Sequence, residues 1–380
     1  MLNLNSNRIG WAVVCVVLLP ACGSTAPARL PDASLYRADL TEIVSSTAAT
    51  GAVMVIDAPG IVDDRVISAG VTGDGRNMTS ATPVRVASVT KTYVAAALLR
   101  LDETGQLDLD EPIGGLLSSD SLEQLKNGGH DGDRITVRHL ITHTAGLPDH
   151  VSEQYLRAII EDPSRHWTRD EQIAMLASGL NPVGAIGEKF HYSDTGYILL
   201  GEVIERRTGQ ALPDVVRTLL KFDTLGLENT WWELLETAPN DAPKRARQTF
   251  NNMDVTDWSA TVDLFGGGGL VASADDMRVF FASLFDGAVF DQVETLESML
   301  SSEGLPHDSP YRLGLFEYDV DGVTLYEHGG FWGTNVLHVP SLELTVSAVV
   351  LDQSGYASLR SLMHKVVTDY VRGQAESINE

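Results

Sequence analysis

The stretch PVRVASVTKTYVAAALLRLDETG, Pro83 to Gly105, predicts a helix that begins near Ser88 and stops at Gly105. Val94, Ala95, Leu98 and Leu101 share one face at helical spacing. Traced back one turn at a time, that face passes through Lys91 and then Ser88. A lysine is thus directed inward one turn after a serine. In the plain reading, Ser88 is an N-cap and Lys91 carries its amine back out to water. A capping box, however, wants Glu or Gln three residues after the serine. Lys91 stands there instead, a cation in the first turn, where the helix dipole disfavours it. Such local violations gather at functional sites. In the sharper reading, Ser88 is a nucleophile with an amine in hydrogen-bond reach, because residues i and i+3 are neighbours on a helix.

The 380 residues suffice for a large core or for two lobes sharing an interface. A formal charge of −25 argues against nucleic acid and against docking on anionic lipid through a basic patch. Residues 1–21 carry Arg8, an apolar run from Ile9 to Leu19 and then small residues, the pattern of a secretory signal. LPAC at Leu19–Cys22 looks like a bacterial lipobox, which implies cleavage before Cys22 and a lipid on its thiol. A plain signal peptide is the alternative. Residues 22–34 would then be a tether. Cys15 and Cys22 are the two cysteines, so the processed chain has no thiol for catalysis, thiolate metal sites or redox chemistry.

No internal repeat is apparent. GAVMVIDAPG and DDRVISAGVTG alternate apolar and polar residues between glycines and read as a strand pair. Residues 111–264 read as helices and loops. Ser273 and Asp276 have capping spacing ahead of another helix. YRLGLFEYDVDGVTLYEHGG, TNVLHVP and LELTVSAVVLDQ read as consecutive strands, with a hairpin turn at Asp321-Gly322. ASLRSLMHKVVTDYVRGQ is a closing helix. The sheet is therefore assembled from distant parts of the chain, about 35–110 and 265–372, and the segment between them forms a helical lobe. The fold class expected is α+β.

Two further clusters carry chemistry. Tyr192, Ser193 and Asp194 stand just before a helix. A cap with a packed tyrosine explains them simply. Beside a lysine ammonium, though, a tyrosine is biased toward phenolate and can take a proton from serine. His328, Gly329 and Gly330 stand at a strand end, either as an ordinary turn or as an edge stripped of side chains for a substrate backbone. The backbone N–H of Phe331 can then join that of Ser88 in an oxyanion hole. GGGGL at Gly266–Leu270 lacks the Lys-Ser/Thr of a phosphate loop. His139, His143 and His150 lack metal-binding spacing, so no metal and no cofactor is expected. Lys244–Arg247 is a compact basic cluster, read as a solvated loop with an anionic substrate as the lesser alternative.

Taken in order, S-V-T-K at 88–91, Y-S-D at 192–194 and H-G-G at 328–330 resemble the serine β-lactamase and penicillin-binding-protein superfamily. The likeness is to the branch of class C β-lactamases, D-alanyl-D-alanine carboxypeptidases, esterases and D-aminopeptidases. ITVRHLITHTAGLPDH, LGLENTWW and GGGGLVASADDM also match, and the resemblance covers about residues 35–372. It implies a transpeptidase-like fold: an antiparallel sheet flanked by helices, a helical lobe and a site in the cleft. It also implies roles. Ser88 forms an acyl-enzyme. Lys91 and Tyr192 share its proton. Ser88 and Phe331 N–H groups hold the oxyanion, and His328 polarises Tyr192 and the substrate end.

Two departures stand out. Asp194 replaces the family's asparagine, and an ionised aspartate accepts hydrogen bonds but donates none. At about 4 Å it would attract Lys91 by roughly 4 kcal/mol at an effective dielectric of 20. That raises the lysine pKa and leaves more of the work to Tyr192. Gly329 replaces a threonine that helps hold a substrate carboxylate; Thr334 or the Lys244–Arg247 cluster are the compensating candidates. The favoured function is an exported, lipid-anchored hydrolase of the esterase or D-amino-acid peptidase type, on a small-molecule or peptidoglycan-like ester or amide. A D-alanyl-D-alanine carboxypeptidase or class C-like β-lactamase is the alternative, and a catalytically weak binding or sensing module is the alternative of another class.

Overall fold

The computed structural model describes residues 33–59, 66–177 and 181–379. The signal segment, Cys15 and Cys22 lie outside them. The strands are β1 (Gly51–Asp57), β2 (Val66–Gly70), β3 (Val84–Arg85), β4 (Trp231–Trp232), β5 (Thr249–Phe250), β6 (Met253–Asp254), β7 (Leu270–Ala272), β8 (Phe316–Val320), β9 (Val323–Gly330), β10 (Thr334–Val339) and β11 (Leu344–Val350). The helices of the sheet layer are α1 (Ala33–Ser46), α2 (Thr90–Glu103), α10 (Ala274–Phe285), α11 (Val293–Leu300) and α12 (Tyr356–Asn379). The segment between them holds α3 (Ser119–Asn127), α4 (Val137–Ile141), α5 (Glu153–Glu161), α6 (Arg169–Ala174), α7 (Asp194–Thr208), α8 (Leu212–Leu219) and α9 (Phe222–Leu225).

One six-stranded sheet has the order β2-β1-β11-β10-β9-β8. Each neighbouring pair in it is antiparallel. N-terminal β1 pairs with C-terminal β11, with Ala52 opposite Val350 and Asp57 opposite Thr345. The sheet is thus closed by the two ends of the chain, as the strand spacing predicts. Asp321 and Gly322 link β8 to β9 with φ of 51° and 82°, the two positive values that a tight hairpin turn requires. β1 is an apolar run rather than the expected alternation, and its two faces show why. Val53 and Val55 face the core that contains α2 and α10, while Ala52, Met54 and Ile56 face the core under α1 and α12. A strand covered on both faces has no polar side to show.

α2 is the axis of the larger core. Every residue from Thr90 to Leu101 is buried, so the stripe expected on one face extends around the whole helix. Truncating a side chain there, such as Leu98→Ala, costs about 2–5 kcal/mol. Gly105, with φ of 68°, ends the helical region as expected. Ser273 caps α10 by accepting from the Asp276 N–H at 3.0 Å. α1 begins at Ala33, inside the stretch expected as a tether. Among the described residues no helix is long and apolar enough to cross a membrane. A small sheet of order β3-β7-β4 ties this middle segment to the turn that carries Ser88.

Candidate active site

β3 ends one residue short of a turn that is not yet α-helical. Ala87–Val89 form a 3₁₀ turn, and α2 proper starts at Thr90. Ser88 therefore stands ahead of the helix rather than as its cap. Ala87 has φ of 45°, a left-handed conformation that costs a residue with a Cβ roughly 1–2 kcal/mol. The turn is held on two sides. The Val86 N–H donates to the Leu270 carbonyl at 3.0 Å, and Thr334 Oγ1 donates to the Val86 carbonyl at 3.1 Å.

Lys91 is wholly buried. Its Nζ donates to Ser88 Oγ at 3.0 Å and to the Gly267 carbonyl at 2.5 Å, and lies 2.6 Å from Asp194 Oδ1. Burial alone would pull the lysine down. Asp194 and Tyr192 beside it overcome that, and the pKa ends above its ordinary value. Tyr192 covers the same group, its ring centroid 5.1 Å from Nζ, with its hydroxyl close enough to Ser88 and Lys91 to feel both. Burial pushes its hydroxyl up to about 12, against the pull of the Lys91 ammonium. The resting site therefore holds a protonated amine and a protonated phenol. Asp194 is the first residue of α7, where its charge also suits the helix dipole.

Ser88, Tyr192, Asp194 and Phe331 open into one cavity of about 240 Å³. Its walls are apolar, with Val151, Leu156, Ile159 and Ile160 on one side and Phe250, Trp258, Phe331 and Trp332 on the other. Arg85 and Gln248 hold the tryptophans by their backbones. Arg85 donates to the Trp258 carbonyl at 2.6 Å, and Gln248 Nε2 donates to that of Trp332 at 3.0 Å. Two further carboxyls line the cavity, Asp149 and Asp263. Burial, with the Asp194 charge adding to it, pushes Asp149 up to about 7. Burial pushes Asp263 up to about 6, although it accepts from Trp332 Nε1 at 3.2 Å.

The third motif is placed otherwise than expected. His328 is buried with both nitrogens engaged: Nε2 with the Tyr311 hydroxyl at 2.9 Å and Nδ1 with the Gly329 carbonyl at 2.9 Å. Burial and the nearby Lys91 charge lower its pKa to about 3. It is a neutral group that bonds neither Tyr192 nor the cavity among the described contacts. On the side away from β10, β9 pairs with β8 only as far as Glu327, so the edge at residues 328–330 has no strand partner among the described residues, while the space a side chain would take there is filled. A Cβ on Gly329 would stand 1.8 Å from the Tyr356 hydroxyl, and one on Gly330 would stand 2.1 Å from the Val86 carbonyl. These glycines admit the protein's own groups. The compensating candidates face elsewhere: Thr334 bonds Val86, and Arg245 and Arg247 pair with Glu233 and Asp254.

Gly267, Asp149, Asp263 and Tyr356 have no local sequence signal for a place in or beside this site. The Gly266–Gly269 run is the partial exception, because consecutive glycines announce a close approach. A Cβ on Gly266 would stand 2.5 Å from the Tyr197 carbonyl.

The profile of the family described as Beta-lactamase matches residues 38–362. Esterase EstB of Burkholderia gladioli is 34% identical over 198 residues, 50% of this chain and 46% of its own length. That alignment spans about half of the curated relative. Among solved structures, a D-stereospecific amidohydrolase from Streptomyces sp. superposes with a TM-score of 0.72 at 24% identity, covering 85% of this chain and 95% of its own. A D-amino acid amidase from Ochrobactrum anthropi SV3 superposes with a TM-score of 0.74 at 22% identity, covering 90% and 100%. At those identities the likeness is one of fold: the mixed helix and antiparallel-sheet architecture expected from the sequence.

Proposed function

This chain belongs to the β-lactamase family, and from that premise we propose that it is an exported serine hydrolase cleaving esters or amides through an acyl-enzyme on Ser88. The observation that carries the reading is the Ser88–Lys91 hydrogen bond of 3.0 Å at the mouth of an apolar cavity. The esterase relative and the amidase neighbours support the bond class.

In this reading Ser88 Oγ attacks the substrate carbonyl carbon and gives its proton to Tyr192 in its phenolate form. With the hydroxyl pushed up to about 12, that form is about one part in 10⁵ at pH 7. The Lys91 ammonium makes it attainable at all. The N–H groups of Ser88 and Phe331 receive the oxyanion. Tyr192 returns the proton to the departing alcohol or amine. A water molecule then gives a proton to Tyr192 and attacks the acyl carbon; Tyr192 passes that proton to Ser88 Oγ as the acyl–oxygen bond breaks, releasing the carboxylic acid and free Ser88. The chemistry needs only protein groups.

The cavity also bears on the acyl group. Aromatic and branched walls favour an apolar moiety, and Asp149, Asp194 and Asp263 favour one that is neutral or cationic over a carboxylate. The same charges weigh against a carboxypeptidase or β-lactamase, whose substrates carry a carboxylate. The LPAC stretch supports export and membrane attachment through a lipid on Cys22. A binding or sensing module is the second reading, favoured by an Asp194 that ties up the amine.

The test is intact mass of protein lacking residues 1–21, quenched early and late after benzylpenicillin or a p-nitrophenyl ester. An adduct or burst absent in Ser88→Ala supports the hydrolase. Persistent penicilloyl enzyme supports the peptidase alternative and rapid drug loss the lactamase. No acylation by either reagent leaves the binding module.

A further inference from the structure

His143 stands two residues beyond α4, in the loop THTAGL, and takes no part in the proton path described above. It is buried, 3% exposed, and adopts φ of 57°, a conformation rare for a residue with a Cβ. Three of its groups meet the segment 191–193. Its carbonyl accepts from the His191 N–H at 2.8 Å. Its Nδ1 accepts from the Ser193 N–H at 3.1 Å. Its ring packs on that of Tyr192, with centroids 4.3 Å apart and planes tilted by 31°. The residue on either side of Tyr192 is therefore pinned by hydrogen bonds while the phenol itself rests on the imidazole.

We propose that His143 is the positioning residue for Tyr192, fixing where the phenol stands through the Nδ1 bond to the Ser193 N–H. The assignment rests on the reading of Tyr192 as the proton carrier.

The protonation pattern argues that the imidazole is there for its acceptor and not as filler. Nδ1 accepts, so the ring is neutral and its proton is on Nε2. That Nε2 is buried without a hydrogen-bond partner among the described residues. An unpaired buried N–H is a penalty that a phenylalanine or leucine would avoid. Those residues, however, would leave the Ser193 N–H without an acceptor. Burial and the neighbouring Lys91 charge hold the imidazole well below its ordinary pKa, which preserves the acceptor. The site thus keeps one orphan donor in order to satisfy another whose place determines where Tyr192 points.

The experiment separates the acceptor from the ring. His143→Asn keeps a side-chain acceptor and suits a left-handed backbone. His143→Phe keeps the ring and removes the acceptor. Acylation and steady-state turnover of a p-nitrophenyl ester are measured on variants whose melting curves show a cooperative fold. Asn is expected to keep kcat within about threefold of the parent, and Phe to lose about 10- to 100-fold in kcat with KM changed by less than about threefold, the scale for a misplacement near 1 Å. If Phe strains the turn too far to fold, His143→Ala takes its place with the same expectation. In a Tyr192→Phe background the His143 substitution should add less than about threefold, because its effect runs through the missing hydroxyl. Full kcat in the Phe or Ala variant overturns the assignment. So does an equal loss in Asn and Phe, and so does an undiminished loss in the Tyr192→Phe background. Parent protein with no Ser88-dependent turnover would instead overturn the hydrolase reading itself, and the assignment with it.

Discussion

Asp194→Asn is the substitution that asks most of this site. Asp194 Oδ1 is 2.6 Å from Lys91 Nζ, and the lysine is wholly buried. At that separation and an effective dielectric of 20, the attraction is about 6 kcal/mol. Burial of the ammonium opposes it, and the balance still leaves the lysine pKa raised. The Asp194 charge also raises Tyr192. Asparagine removes both effects, so both pKa values fall. A base with a lower pKa is deprotonated in a larger fraction at neutral pH, and the acid limb of kcat/KM shifts to lower pH. If a quarter of the attraction is felt as a bias on proton transfer, the gain at pH 7 is about tenfold in ester turnover. Amides should gain more, because the asparagine amide donates to a carbonyl where the carboxylate cannot. The assay is kcat/KM for a neutral ester, its amide and a β-lactam between pH 6 and 10. A limb that stays in place or moves upward would refute the electrostatic account. Unchanged ester and β-lactam turnover at every pH would remove any chemical role for Asp194.

Three shorter predictions follow from burial and contact. Asp149 is pushed up to about 7 by burial and by Asp194, against about 3.9 in an unfolded chain. A carboxyl raised on folding contributes stability below its unfolded pKa and loses it as pH rises through the folded one. Asp149→Asn, which keeps the acceptor for the Asp194 and Val151 N–H groups, should match the parent in urea unfolding near pH 4 and exceed it at pH 8 by at most about 4 kcal/mol; an equal difference at both pH values counts against this. Gly329→Thr should destabilise by about 1–3 kcal/mol because of the Tyr356 hydroxyl in its Cβ space, and adding Tyr356→Ala should recover most of that; a single variant that melts like the parent would show the space to be free. Cys22→Ser should move the exported protein from the membrane fraction to the soluble one, and continued membrane recovery would speak against a lipid on that thiol.

The parts of the site legible in the sequence are those in which chemistry and local structure conflict within a few residues. Lys91 is an unfavourable cation in a first turn, and Tyr192-Ser193-Asp194 is polar clutter at the start of a helix whose next ten residues are buried. Both could be read without knowing what they touch. The hairpin at Asp321-Gly322 was legible for the same reason. The turn at Ser88 was not, because alanine gives no sign that residue 87 takes a positive φ. Asp149 and Asp263 come from loops more than a hundred residues apart and meet only in the cavity. The partners of His328 were hidden for the opposite reason. The motif predicts where the strand edge lies, but Tyr311, which engages its Nε2, sits in a segment with no motif at all.

Charge in the cavity makes a last prediction that reaches substrate choice. Asp149 and Asp263, at about 7 and about 6, both line the space into which Ser88 opens. Raising the pH from 5 to 8 ionises both, so the cavity gains up to two negative charges while the substrate-facing aromatic walls stay the same. One such charge about 6 Å from a substrate group, at an effective dielectric of 20, is worth roughly 3 kcal/mol before salt screening. A conservative expectation is about a tenfold change in discrimination for each charge. The measurement is kcat/KM for matched esters whose acyl groups end in a trimethylammonium, a methyl or a sulfonate, each permanently charged or neutral across that range. Taking ratios cancels the pH dependence of the shared chemistry on Tyr192. The cation-to-neutral ratio should rise from pH 5 to 8, and the anion-to-neutral ratio should fall. In Asp149→Asn the part of that change centred near pH 7 should disappear. Ratios flat with pH would mean that the acyl group never enters the cavity beside these carboxyls, and the selectivity drawn from its lining would then be wrong even if Ser88 is the nucleophile.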